Sequence, residues 1–71
     1  MRNLKDSIIY EILFGENDEL SFDISDLAPR EICNFTDDIV ESAHKGSVEV
    51  IRDIIEVTDS KTIWNIKIIR N

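Results

Sequence analysis

The amino-acid sequence predicts a single small α+β domain in which one helix packs on an antiparallel sheet. The chain has 71 residues, which leaves room for one domain. Hydrophobic residues make up 42% of it and include thirteen isoleucines, enough to bury a core. One segment with helical periodicity lies between segments that alternate like strands. We therefore predict the element order ββαββ for residues 1–71, with αβαββ as the variant in which the first segment is a helix.

The first apolar segment, residues 8–14, fits two templates. As a strand, it places alternate residues from Ile8 to Phe14 on one face of a sheet. As a helix, it has Asn3 as a possible N-cap and Gly15 just past its end. β-branched and aromatic residues crowd the segment, and the turn-forming residues 15–18 lead directly into the next strand. These two features favour the strand.

The second strand is predicted around residues 20–24. Leu20, Phe22 and Ile24 alternate there with polar residues, which is the pattern of a strand with one buried face. Asp23 falls on the other face, so we expect its side chain to point into water.

The helix is predicted to begin near Ser25 or Asp26 and to end at Gly46, which is typical of a residue that follows the last helical turn. Pro29 lies in the first turn, where its missing N–H has no helical partner to lose. One stripe of apolar side chains would face the sheet: Ile32, Phe35, Ile39 and Ala43. Cys33 borders this stripe and is expected to be a small buried hydrophobe.

The last part of the chain is predicted to form two strands, at residues 48–58 and 62–70. In the first of them, two sets of β-branched residues alternate out of phase. A bulge near Arg52 and Asp53 would reconcile the two phases, as would a sheet buried on both sides. A helix that places Val50, Ile51, Ile54 and Ile55 on one side is an alternative that the β-branched residues disfavour. In the second, large apolar residues alternate with polar ones: Trp64, Ile66 and Ile68.

The predicted sheet would leave an apolar face that the helix does not cover. The residues on this face are Ile9, Leu13, Ile51, Ile55, Ile63 and Ile69. Monomeric proteins seldom expose so large a contiguous apolar surface. We therefore expect a second copy of the chain, giving a homodimer, or another protein to cover it.

The chain is acidic, with fifteen acids, eight bases and a formal net charge of −7. The excess is local, because residues 11–41 contain ten acids and only one base, Arg30. Nucleic acids and anionic membranes are bound through clustered Lys and Arg, so this balance argues against both. It favours a protein partner with a basic surface. The candidate contact residues are Glu31, Asp37, Asp38, Glu41, Asp23 and Asp26.

Targeting signals are not apparent in the sequence. The polar N-terminal residues do not fit a signal peptide, and the apolar run after them is interrupted by Glu11 and ended by Gly15. The expected location is therefore the cytoplasm.

Sequence signs of catalysis and of cofactor binding are weak. Cys33 and His44 are the only cysteine and histidine, and on one helix they would lie about 16 Å apart, too far for a nucleophile and its base. Glu41 and His44 have the Glu-x-x-His spacing of di-iron helices, but the predicted fold lacks the other helices of such a site. We therefore expect no catalytic residue, no metal and no cofactor.

In length, acidity, richness in Ile, Asn and Asp, and mixed α+β outline, the chain resembles small acidic proteins of bacteria and phages that inhibit nucleic-acid enzymes, among them DNA mimics and anti-CRISPR proteins. The resemblance rests on overall character and identifies no site residue. It implies a non-enzymatic inhibitor that occludes a basic nucleic-acid-binding surface. The alternative is a structural or accessory subunit that assembles through its apolar sheet face, with the acids serving only solubility.

Overall fold

The computed structural model describes residues 3–70, which form two helices and a three-stranded antiparallel sheet. The elements in chain order are α1 (Leu4–Phe14), β1 (Glu19–Asp23), α2 (Pro29–Lys45), β2 (Val48–Val57) and β3 (Thr62–Arg70). The α+β class and the antiparallel sheet are confirmed. The order ββαββ is wrong and the variant αβαββ is correct, because the first apolar segment is a helix.

Local capping and tertiary burial together make α1 a helix. The side chain of Asn3 accepts a hydrogen bond from the backbone N–H of Asp6 at 2.8 Å, which caps the first turn. At the other end, the N–H of Gly15 donates to the carbonyl of Glu11 at 2.9 Å. Ile8 and Ile12, one turn apart, are fully buried. The helical spacing thus buries two isoleucines that a strand would also have placed on one face.

Arg70, at the end of β3, bonds to the last turn of α1. Its Nε donates to the carbonyl of Ile12 at 3.1 Å and its Nη2 to the carbonyl of Glu11 at 3.4 Å. Its Nη1 forms an ion pair with Asp18 at 3.2 Å. The carbonyls of a final helical turn have no partner within the helix and carry negative partial charge, so a guanidinium is well suited to satisfy them.

The start of α2 differs from the prediction. Its N-cap is Ala28, which offers no side-chain hydrogen bond, and Pro29 opens the helix. Ser25 and Asp26 therefore do not cap it. The hydroxyl of Ser25 instead donates to Asp23 and accepts a hydrogen bond from the N–H of Thr62 at 2.9 Å, so this residue joins the end of β1 to the start of β3.

The chain leaves α2 through a close approach to α1. A Cβ at Gly46 would lie 2.4 Å from a methyl carbon of Leu13, so a side chain here would force Leu13 to move. Gly46 itself has an ordinary negative φ, whereas the next residue, Ser47, has a φ of 69°. A residue with a Cβ is strained in that left-handed region. The glycine is therefore explained by packing against α1 and not by backbone conformation.

The apolar stripe of α2 packs into one core with α1 and the sheet. Phe35, Ile39 and Ala43 are buried as predicted, and Ile32 packs partly buried against them. Cys33 is exposed, so its predicted burial is wrong. The rest of the buried apolar core is Ile8, Ile12, Leu20, Ile24, Val48, Trp64, Ile66 and Ile68.

Strand β3 lies in the middle of the sheet, in the order β1-β3-β2, and both pairings are antiparallel. Its residues Trp64, Ile66 and Ile68 face the helices and are buried. The register of β2 against β3 shifts between Val50 and Arg52. The predicted bulge is thus confirmed, one to two residues before the expected position.

The six residues of the predicted apolar face do not share a surface. Ile9 and Leu13 belong to α1 and pack partly buried against the core. Ile55 lies opposite Trp64, on the helix side of the sheet, whereas Ile63 and Ile69 alternate with the buried residues of β3 and so lie on the other side. Ile51 falls at the register shift and has no residue opposite it. The predicted face fails because two of its members are helical and β2 changes phase.

Candidate protein-binding surface

Four of the six candidate acids project from α2 and are exposed: Glu31, Asp37, Asp38 and Glu41. We call these four residues the acidic face. The other two, Asp23 and Asp26, are also exposed but lie before the helix, at the end of β1 and in the loop that follows it. The helix therefore presents the acidic face on a regular element, while the remaining two acids belong to a turn.

Two members of the acidic face have partners within the chain. Asp38 forms an ion pair with Lys5 of α1 at 3.0 Å, and Glu41 forms one with Lys45 at 3.3 Å, one turn further along α2. Lys5 is partly exposed and the other three side chains are well exposed, and ion pairs of that kind contribute about 0–1 kcal/mol. Glu31 and Asp37 form no ion pair with any residue in the described range 3–70. Much of the charge of the acidic face is thus available to a partner.

A shallow groove runs between α2 and the start of β2, beside the acidic face. Its lining residues are Asp37, Val40, Glu41, His44, Glu49 and Val50. Val40 and Val50 are half-buried members of the core, so the groove combines an apolar floor with acidic residues from two elements. Glu49, which was not among the predicted contact residues, lines the groove from the edge strand β2 and lies opposite Ile69, on the side of the sheet away from the helices.

The spacing of Glu41 and His44 does not produce a metal site. Both residues line the groove together with Asp37, yet within residues 3–70 no group of three or more His, Cys, Asp or Glu residues has an arrangement that could hold a metal ion. Cys33 is exposed and lies three turns before His44 on the same helix, so the two are far apart. The arrangement therefore offers no nucleophile beside a base.

Asp23 serves the backbone of the turn that follows β1. Its carboxylate accepts a hydrogen bond from the hydroxyl of Ser25 and another from the backbone N–H of Ser25 at 2.9 Å. These two bonds, the hydroxyl bond first, lower the pKa of Asp23 below its ordinary value of 3.8. This acid is therefore engaged in a structural contact, unlike Asp37.

An exposed aromatic pair on α1 was not predicted from the sequence. The rings of Tyr10 and Phe14 lie 5.0 Å apart and are tilted against each other. Both side chains are exposed, as is Leu4 near the start of the helix. Their spacing of four residues is a signal that becomes meaningful only once the segment is known to be helical.

Comparison of the chain with protein-family models, with curated protein sequences and with solved structures gives no match in any of the three. Neither helix within residues 3–70 has both the length and the apolar character that crossing a membrane requires.

Proposed function

We propose that this protein is a small non-enzymatic binding module whose acidic face docks on a basic surface of another protein. The observation that carries the proposal is the arrangement of four exposed acids along one helix, two of them without an ion pair among residues 3–70. Asp37, Asp38 and Glu41 lie in the middle and second half of α2, beyond the first turn in which the helix dipole favours acids. The dipole thus gives no reason for these acids, and Asp37 has no ion pair among residues 3–70 either.

The groove beside the acidic face suits a long basic side chain. The aliphatic part of a Lys or Arg would lie on Val40 and Val50, and its cationic end would reach Asp37 or Glu41. An Arg would also gain charge-assisted hydrogen bonds from those carboxylates. The long-range attraction between the acidic chain and its partner would speed association and make it sensitive to salt.

Occlusion of a nucleic-acid-binding surface is the functional consequence that we propose. Such surfaces are rich in Lys and Arg because they neutralise phosphates. A protein with a net charge of −7 and an acidic helix would compete with the nucleic acid for the same cations. The expected role is therefore that of an inhibitor or DNA mimic, as the overall character of the sequence implies.

The test is capture of partners by variants that differ only in where charge is reversed. Asp37→Lys/Glu41→Lys alters the acidic face, whereas Glu16→Lys/Asp59→Lys makes the same change in net charge at two exposed loop positions. We expect a captured protein to bind the wild type and the loop variant alike and to bind the face variant about tenfold or more weakly. Duplex DNA added in excess should displace the wild-type protein from it. Equal binding by all three proteins, or binding that DNA leaves unchanged, would contradict the proposal.

A second candidate function is that of an accessory subunit held by apolar contacts. The observation that favours it is the exposure of four large apolar residues on one strand: Ile51, Ile54, Ile55 and Val57 of β2. In this case the acids would serve only to keep the protein in solution. Changes confined to β2 separate the two candidates, because they would abolish assembly and leave the contacts of α2 intact.

A further inference from the structure

The second half of β2 is an open sheet edge. Strand β2 pairs with β3 on one side only, and in the described part of the chain no strand pairs with its other side. Every residue from 51 to 57 is exposed. Backbone N–H and C=O groups along such an edge are a template for another strand. We refer to residues 51–57 as the β2 edge.

The β2 edge begins at a bulge and carries charged residues, both of which limit edge pairing, but it lacks two other features that normally keep sheet edges apart. Edge strands are commonly short or carry Pro or Lys. Strand β2 spans ten residues and contains neither of these residue types. Val57 is 70% exposed, and Ile51, Ile54 and Ile55 are exposed as well, so all four apolar residues of the β2 edge have surface in contact with water. The regular stretch after the bulge, residues 52–57, is long enough to accept a partner strand.

We propose that the β2 edge pairs antiparallel with the β2 edge of a second copy of the chain, about a two-fold axis at Ile54. The pairing joins two three-stranded sheets into one of six strands. The partner is identified by charge complementarity on the outer face of the sheet, the side away from the helices. Arg52, Ile54 and Glu56 all lie on that face, opposite Lys67, Asn65 and Ile63 of β3.

The order of charges along Arg52, Ile54 and Glu56 is complementary to the same order in a strand that runs the opposite way. With Ile54 on the axis, Arg52 lies opposite the partner's Glu56, and Glu56 lies opposite the partner's Arg52. Directly opposed side chains of an antiparallel pair are close enough for such ion pairs to form. In the single chain Arg52 lies opposite Lys67, a pair of like charges that is unfavourable. Pairing with an acid from the second copy offsets this repulsion.

Other registers are less favourable. Opposed residues must lie on the same face of the sheet, so the two-fold axis lies between the two copies of one residue. Each alternative register therefore centres the axis on a different residue of β2. An axis at Arg52, Asp53 or Glu56 places two like charges directly opposite each other. An axis at Ile55 brings no opposite charges together. The register at Ile54 is thus the one that pairs both Arg52 and Glu56.

On the helix side of the sheet, the paired edges would have apolar residues at each end and the exposed Asp53 near the middle. Val57 lies on this side, opposite Thr62, and in the proposed register it comes near the partner's bulge at Ile51. Asp53 would lie opposite the partner's Ile55. No helix covers this part of β2, so the carboxylate of Asp53 keeps its contact with water. The dimer therefore buries apolar surface without burying an unpaired charge.

Charge exchange between Arg52 and Glu56 tests both the dimer and its register. We expect the wild type to sediment as a dimer at micromolar concentration. Arg52→Glu and Glu56→Arg each replace two ion pairs with two repulsions and should raise the dissociation constant about tenfold or more. The double variant Arg52→Glu/Glu56→Arg restores both pairs and should return the constant to the wild-type value. Lys61→Glu makes the same charge change as Arg52→Glu in the exposed turn beyond β2 and should have little effect.

Cross-linking at the axis provides a second measurement. In Ile54→Cys/Cys33→Ser, the two introduced thiols would face each other across the two-fold axis, and mild oxidation should link the copies rapidly. Ile69→Cys/Cys33→Ser is the matched control, because Ile69 is 48% exposed and Ile54 is 47% exposed, but Ile69 lies on the central strand. A monomeric wild type, a dimer indifferent to the single charge changes, or equal cross-linking of both variants would overturn the proposal.

Discussion

Asp23 illustrates how an exposed acid can serve the backbone instead of a charged surface. From the sequence it is one more carboxylate in an acidic stretch, and the alternation of β1 correctly predicts that it is exposed. Its two bonds to Ser25, and the bond from Thr62 to Ser25, depend on β1 and β3 being neighbours in the sheet. Ser25 and Thr62 are 37 residues apart, so no local pattern could reveal this contact.

The turn at Asp23 should make part of the stability depend on pH. The pKa of Asp23 is lowered in the folded state, so its charged form stabilises the fold above the ordinary pKa of 3.8, and this contribution is lost as pH falls through the folded pKa. Asp23→Asn keeps an acceptor oxygen but removes the charge. We expect the variant to be less stable than the wild type at pH 7, with the difference vanishing in strong acid, as measured by urea unfolding across that range.

Asp26→Asn is the control for this titration, because Asp26 is an exposed acid in the same loop. It should differ little from the wild type at either pH. A wild-type advantage over Asp23→Asn that persists in strong acid would mean that the charge of Asp23 is not the cause.

Comparison of α1 with α2 shows why one helix could be predicted and the other could not. The apolar residues of α2 keep to one side, so periodicity alone predicts the helix and its buried stripe. In α1 the exposed side also carries apolar residues, Tyr10 and Phe14, so neither a helical nor a strand period stands out. Asn3 and Gly15 were the correct local signals, and β-branched content was misleading because tertiary burial of Ile8 and Ile12 outweighs propensity.

The contact between β3 and α1 predicts a measurable role for Arg70. Arg70→Ala removes the guanidinium donor from the carbonyl of Ile12, leaves the carbonyl of Glu11 with the N–H of Gly15 alone, and breaks the ion pair to Asp18, so it should cost about 1–3 kcal/mol of unfolding free energy. Arg70→Lys keeps the charge but not the planar guanidinium, so its unfolding free energy should lie between those of the wild type and Arg70→Ala. Urea unfolding measures the loss, and hydrogen exchange should increase at the end of α1.

Arg30→Ala provides the comparison for Arg70, because Arg30 is an exposed cation on α2 without an ion pair among residues 3–70. Its expected effect is within about 0.5 kcal/mol. If Arg70→Ala were equally mild, the guanidinium would not be holding α1 to the sheet.

At the scale of the whole molecule, charge is poorly balanced. Only four of the fifteen acids form ion pairs within residues 3–70: Asp18, Glu19, Asp38 and Glu41. Composition predicted the imbalance, but not which acids would be neutralised, because Lys5 reaches Asp38 and Arg70 reaches Asp18 only in the folded chain. The groove could not be predicted from composition either, because residues of two elements, among them Asp37 and Glu49, line it together only in the folded chain.

Added salt, which screens the repulsion among the acidic side chains, should therefore stabilise the fold. We expect repulsion among the unpaired acids to outweigh the four ion pairs, so raising NaCl from about 20 mM to about 500 mM should raise the thermal midpoint as the Debye length shortens. Glu16→Gln/Asp26→Asn/Asp59→Asn removes three exposed loop acids and should reduce the slope of this increase. A midpoint that falls with salt would indicate that the ion pairs dominate instead.

The central place of β3 in the sheet governs how the protein can fold during its synthesis. Strands β1 and β2 are made first, but each pairs only with β3, which is the last of the three to be made. Until residues 62–70 have left the ribosome, the nascent chain has no strand pair to form, and α1 lacks the guanidinium at its end. Every sheet contact of β1 closes a loop of 40 to 48 residues. The nascent chain is therefore expected to expose its apolar strand residues until β3 emerges, and then to acquire the sheet in one cooperative event after translation of this segment.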